Sequence, residues 1–140
     1  MPRQFSRFAL KAAIDDPVAN TVTFAAQKTM YGGKTITPGD RIFLFASETH
    51  GGRGLVARGI VAAAVVTPRT DAPRQTPRVS VTIRVDGVAT RPCGRRELRP
   101  WREGPEDAPQ FELDFKLYRQ ATDKIVGLSD ATAGWLEQFF

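Results

Sequence analysis

The run Arg41-Ile42-Phe43-Leu44-Phe45-Ala46 is the feature that most limits how this chain can fold. It is apolar at every position after the first, has the length of a strand and shows no alternation. A strand with that pattern needs apolar cover on both faces, and a small barrel provides it. The turn before it, Thr37-Pro38-Gly39-Asp40, combines a proline that sets φ with a glycine free to take φ > 0. After it comes a polar, glycine-rich loop (residues 47–54), then a long strand of small residues (55–66) interrupted by Gly59. A glycine inside a strand marks a bulge or bend, which a barrel uses to curve. The two strands are expected to pair.

The remaining elements follow from period and punctuation. Residues 3–14 alternate loosely and predict an opening strand with polar neighbours. For the next segment two readings compete. One is a helix starting at Asp16-Pro17, with Val18, Val22 and Ala25 or Ala26 on one face; the other is a strand over residues 21–24, favoured by the β-branched Thr21, Val22 and Thr23. Tyr31-Gly32-Gly33 predicts a turn. Residues 67–78, with three prolines, predict an exposed extended connection. Val79, Val81, Ile83 and Val85 alternate with polar residues, as in a strand with one wet face. A short helix is expected over residues 95–101 within a polar loop. Phe111, Leu113, Phe115 and Leu117 alternate again and predict a strand with Glu112, Asp114 and Lys116 outward. Ser129 is placed to cap a final helix, whose stripe of Trp135, Leu136, Phe139 and Phe140 would lie across a barrel end. Strands with flanking helices and no βαβ alternation predict an α+β class with a mixed or antiparallel sheet.

At 140 residues the chain fits one domain, residues 1–140, with 41% hydrophobic and 25% charged residues. No apolar run approaches a membrane span and the amino terminus has no long apolar segment, so a soluble protein is expected. The single cysteine, Cys93, excludes an intramolecular disulfide and a thiolate metal cluster, which favours the cytoplasm. The net charge of +5 is unevenly spread: residues 41–102 hold twelve arginines and four acids, whereas residues 103–140 hold three basic residues and eight acids. An arginine-rich middle attracts polyanions, nucleic acid first among them, although arginine-rich composition with solvated charges would look the same.

The stretch Gly39-Asp40-Arg41-Ile42-Phe43-Leu44-Phe45-Ala46-Ser47, followed by Gly59-Ile60-Val61-Ala62-Ala63-Ala64-Val65-Val66, resembles the paired strands of the PUA-like superfamily. Within it, the EVE branch, related to the YTH and ASCH domains, is most similar. That branch opens with a strand ending in Trp and a Lys-Ser-Glu-Pro turn, where this chain has Phe8-Ala9-Leu10-Lys11-Ala12-Ala13. The resemblance implies a PUA-like pseudobarrel, a small mixed or antiparallel β-barrel flanked by short helices. It also implies a pocket that accepts one flipped-out base, often modified, from DNA or RNA. Unstacking a base costs a few kcal/mol, which stacking and edge hydrogen bonds must offset.

Eight residues are candidates for binding nucleic acid or a base. The resemblance places the Ser47 hydroxyl on the pocket; Phe45, two residues earlier, shares its face. His50 and Arg53 lie in a glycine-flanked loop where backbone N–H groups can approach a phosphate. Lys28 and Tyr31 fall where the family pattern contributes to the pocket. Arg99 and Trp101 belong to a stretch of four arginines around one indole, suited to phosphate contact and stacking. Each has a plainer structural role open to it: core packing for Phe45, loop closure around His50, a solvated face for the arginines. No metal site, cofactor or catalytic residue is expected, and no membrane partner; oligomeric state and the choice of DNA or RNA stay open. Two further readings compete with the binding module. One is an ASCH-like hydrolase of modified nucleosides, although that branch's G-x-K-x-x-E-x-R signature is represented here only by Gly32-Gly33-Lys34, without the Glu and Arg. The other is a non-catalytic protein-interaction adaptor.

Overall fold

A computed structural model describes residues 4–67 and 77–140. Seven strands form one mixed sheet: β1 (Arg7–Ala12), β2 (Thr21–Gln27), β3 (Thr29–Met30), β4 (Arg41–Ala46), β5 (Gly54–Thr67), β6 (Arg78–Val88) and β7 (Lys124–Leu128). Their order is β2-β6-β5-β4-β1-β7-β3. The outermost strands, β2 and β3, are separated in sequence only by Lys28, so the sheet must curl until its two edges meet. The result is a nearly closed barrel. Pairs β1–β4 and β3–β7 are parallel and the others antiparallel. Three short helices flank it: α1 (Arg95–Leu98), α2 (Pro109–Leu113, continued by a π-helical turn over Asp114–Tyr118) and α3 (Asp130–Leu136).

Strand β4 accounts for the continuous apolar run. Ile42 and Leu44 point into the barrel with Phe8, Leu10, Val61, Val81 and Ile83. Phe43 and Phe45 point outward, beneath a second core of Leu98, Leu113, Leu117, Leu136 and Phe139 contributed by the helices. Both faces are buried because barrel and helices share this strand. At Gly59 the β5 register shifts against β6, and an added Cβ would sit 2.4 Å from the Arg84 carbonyl oxygen. Only glycine permits that close approach at the bend.

Two expectations are decided or overturned. Residues 21–27 are strand rather than helix: β6 offers them a ladder, and the Thr23 and Thr82 hydroxyls bond across it at 3.0 Å. The strand expected over residues 111–117 is helical instead. Its alternation hides two pairs at i, i+4: Leu113 and Leu117 are buried, while Phe111 and Phe115 lie on the outer side. Pro109 opens the helix at its first turn. Asp114, expected outward, is fully buried and receives Arg102 and Arg119 at 3.2 and 2.9 Å. The connection expected at residues 67–78 lies mostly outside the described residues. The helix over residues 95–101 is present as α1 and a following 3₁₀ turn, and the Ser129 hydroxyl caps α3 through the Thr132 N–H.

Candidate nucleic-acid interface

Strands β1 and β4 run parallel and end together, Ala12 beside Ala46, and the Ser47 N–H donates to the Ala12 carbonyl at 2.8 Å. The chain then folds over this barrel end. Glu48–His50 make one 3₁₀ turn, Gly51 takes φ 83°, and the Gly52 N–H returns to the Ser47 carbonyl at 2.9 Å. Gly52 packs directly on Ala46, where a Cβ would lie 2.6 Å from the Ala46 carbonyl carbon. The loop is therefore pressed against the barrel rim.

Beneath it lies a cavity of about 10 Å³ lined by Lys11, Ser47, Glu48, Arg95 and Tyr118 among others, which is room for a single water. Its surroundings are polar and buried. Lys11 and Lys124 are 3% and 1% exposed, and their ammonium groups converge on the Gln120 carbonyl at 3.4 and 3.3 Å. Two buried cations thus share one acceptor. Burial lowers the Lys11 pKa, with Asp123 opposing and Arg95 adding to the shift. Burial, then the neighbouring Lys11 charge, brings Lys124 down to about 8. Among the described residues the buried Tyr118 hydroxyl has no hydrogen-bond partner; burial, then the facing Glu48 carboxylate, raises its pKa. Asp123 offers one oxygen to His50 Nε2 at 3.4 Å, while its other is buried without a hydrogen bond from the described residues.

Larger clefts surround the same loop. One, of about 460 Å³, runs between His50–Gly51–Gly52–Arg53 and the chain after β6, with Ile14, Leu55, Val56 and Val88 as apolar walls and Arg91 at its rim. A second, of about 360 Å³, lies between Lys28, His50, Arg78 and Asp123. A third, of about 370 Å³, lies against Glu48, Arg95, Arg96 and Arg99. Volumes of this size suit small ligands (roughly 300–1,000 Å³). The barrel end is consequently rimmed by cations: Arg53, which meets the exposed Asp16 at 3.3 Å, Arg91, and the exposed arginines of α1.

Of the sequence candidates, the fold brings His50 and Arg53 into one cleft, Lys28 and His50 into another, and Arg99 into the third. Ser47 lies at the small cavity, its hydroxyl paired with Thr49 at 2.7 Å. Phe45 is fully buried in the helix-side core, so it supports Ser47 from below instead of forming a pocket wall. Tyr31 packs on Phe115, with ring centroids 5.7 Å apart, and Trp101 is half-buried in the turn after α1; neither joins the clefts around the loop. Sequence reasoning missed Lys11, Lys124 and Tyr118. The signal was a lysine inside the apolar stretch Phe8-Ala9-Leu10-Lys11-Ala12, which in a strand buried on both faces has no route to solvent. Among the described residues, no group of three His, Cys, Asp or Glu side chains is arranged to hold a metal.

No family model matches the chain, and no curated protein matches it in sequence. Solved structures do. Human THYN1 protein in complex with 5-methylcytosine-containing DNA superposes with a TM-score of 0.63 at 11% identity, covering 94% of this chain and 95% of that one. The DUF55 domain of human thymocyte nuclear protein 1 gives 0.62 at 10% identity, covering 94% and 96%. A point mutant of ZmASCH from Zymomonas mobilis gives 0.53 at 9% identity, covering 95% and 97%. The chain has the PUA-like fold. These neighbours cover almost the whole of the chain.

Proposed function

We propose that the chain works as one nucleic-acid-binding module that seats an unstacked base in the 460 Å³ cleft beside the residue 47–54 loop. The observation that carries this reading is the concentration of cations at one barrel end. Buried Lys11 and Lys124 stand behind the loop, and Arg53, Arg91 and the α1 arginines stand around it. Ile14, Leu55, Val56 and Val88 would replace the apolar contacts a base loses on leaving its stack. His50 and Arg53 are positioned for its polar edge and phosphate. The solved complex of human THYN1 with 5-methylcytosine DNA supports nucleic acid as the partner and a modified base as the ligand class. A cytoplasmic location is supported by a lone, buried Cys93, whose thiol burial pushes up to about 12. No helix among the described residues is long and apolar enough to cross a membrane.

The ZmASCH likeness raises the hydrolase reading. A hydrolase needs a general base within reach of its substrate. Here Lys11, a lysine whose pKa burial lowers, lines only a cavity too small for a nucleoside, which favours binding over catalysis.

Fluorescence-anisotropy titrations of labelled oligonucleotides, with cytosine or 5-methylcytosine at one position, test the module. Log affinity should fall linearly with log salt, with a slope of roughly 0.7–0.9 per phosphate neutralised. Arg53→Ala should shallow that slope by about one such contact, and His50→Ala should weaken binding at every salt concentration. Absence of binding at about 50 mM salt, where phosphate contacts are strongest, would show the reading to be wrong.

A further inference from the structure

Outside the barrel end, α2 presents aromatic rings to solvent. Phe115 is 41% and Tyr31 38% exposed, the only aromatic side chains among the large exposed hydrophobics of the described residues. Phe111 and Phe115 lie nearly parallel, 6.1 Å apart and 13° inclined, and Tyr31 follows at 5.7 Å from Phe115, its ring tilted by 54°. Tyr31 is held at φ 51°, an unusual backbone for a bulky residue. Its carbonyl accepts from the Gly127 N–H at 3.0 Å, which fixes the ring's place in the row.

Cations are interleaved with these rings. The Arg119 guanidinium stands 5.9 Å from the Phe111 centroid and 5.7 Å from that of Phe115, and Lys116 Nζ is 5.9 Å from Tyr31. Neither cation is loose: Arg119 donates to Asp114 and to the Arg102 carbonyl, and Lys116 to Glu112 and the Gly127 carbonyl. The patch is therefore pre-organised; Glu112 neutralises Lys116, whereas Arg102 and Arg119 share the one Asp114 carboxylate, which leaves one net positive charge beside the rings. The Arg119 side of the patch reaches toward the cationic barrel end, whereas Tyr31 lies by Gly127, paired with Phe8 four residues back along β1 from Ala12. Arg119 follows Tyr118, which lines the small cavity, and it touches Arg102, just beyond the α1 arginines.

We infer that the row Phe111–Phe115–Tyr31 is a stacking platform for nucleotides flanking the base held at the barrel end, so the partner is single-stranded or locally unpaired nucleic acid. The inference rests on the module reading and narrows its ligand. Charge complementarity selects the occupant: bases stack on the rings in any sequence, and the surplus positive charge of the Arg102–Arg119–Asp114 cluster draws their phosphates. A paired duplex cannot offer its base faces to the row.

The test compares the parent chain with Phe115→Ala and Phe115→Leu, the second keeping apolar bulk without a ring, on a single-stranded oligothymidine and a hairpin duplex. Thermal melts confirm that both variants fold. A single-stranded oligonucleotide carrying 2-aminopurine reports stacking directly, through quenching on binding. Both variants should lose at least about fivefold in single-strand affinity, with little change for the duplex, and 2-aminopurine quenching should fall. Parent-like single-strand affinity and quenching in both variants would overturn the platform while leaving the module intact. Equal losses on single strand and duplex would overturn it too. If the parent binds no oligonucleotide, the module and the platform fall together.

Discussion

Lys124 begins β7 almost fully buried, beside a second buried lysine and against one shared carbonyl. Its pKa stands near 8 in the folded chain against 10.5 in the unfolded one, so above pH 8 the unfolded state binds more protons. Stability therefore rises with pH from about 8 as this lysine loses its charge, and the contribution is complete above the unfolded value. Lys11 acts in the same direction. Cys93 and Tyr118 act oppositely at higher pH, because burial keeps both protonated in the fold after they would ionise in the unfolded chain. The clean measurement is the difference between parent and Lys124→Met in chemical denaturation from pH 6 to 10. The variant should be the more stable at neutral pH, and its advantage should shrink above pH 8. A constant difference across that range would exclude Lys124 as the titrating group. A protein that retains such a destabilising pair is consistent with selection for the positive potential behind the residue 47–54 loop, because stability alone would favour an apolar residue at both positions.

Element α2 is held to the barrel by an ion cluster rather than by length. Ten residues from Pro109 to Tyr118 form its α and π turns, fewer than an isolated helix needs to be stable in water. Leu113, Leu117 and Tyr118 bury its inner face, and Asp114, fully buried, draws in Arg102 from the loop after α1 and Arg119 from the helix end. Asp114→Asn would leave two guanidinium groups without their carboxylate, and should cost roughly 3 kcal/mol or more in denaturant unfolding. Arg119 would also lose one of the bonds that hold it over Phe111 and Phe115, so the same variant should bind single strands less tightly while it remains folded. The misreading of this element as a strand has a specific cause. Four apolar residues at alternate positions satisfy both a two-residue period and two i, i+4 pairs. The partners that break this tie, Arg102 at Asp114 and Ser129 and Thr132 at Glu112, lie 12 to 20 residues away in sequence.

For the whole molecule, closure of the barrel is the controlling event. It depends on the bend at Gly59 and on the single-residue passage from β2 to β3 through Lys28. Gly59→Val would force a side chain into the Arg84 carbonyl. It should shift the chain to insoluble or molten material, read by loss of a cooperative thermal transition, whereas Gly39→Ala, at a turn with open space around it, should cost only the strain of a positive φ. The strand β4, its pairing with β5 and the bend at Gly59 were legible in the sequence, because continuous burial and a glycine in a strand are local signatures of barrel geometry. So were the α3 cap and the cationic loop with His50 and Arg53. The placement of Lys11, Lys124 and Tyr118 was not. Lys11 carried a signal in its apolar neighbours, but Lys124 and Tyr118 look in sequence like ordinary surface residues, and all three become buried only because β1, β7 and α2, separated by up to about a hundred residues of chain, converge on the same barrel end. The sequence by itself determined the strands β1, β4, β5 and β6 and the charge that surrounds one end of the barrel. Which cations are buried, which rings are exposed and where a base could enter were decided by long-range packing, since burial is a property of neighbours that no local pattern contains.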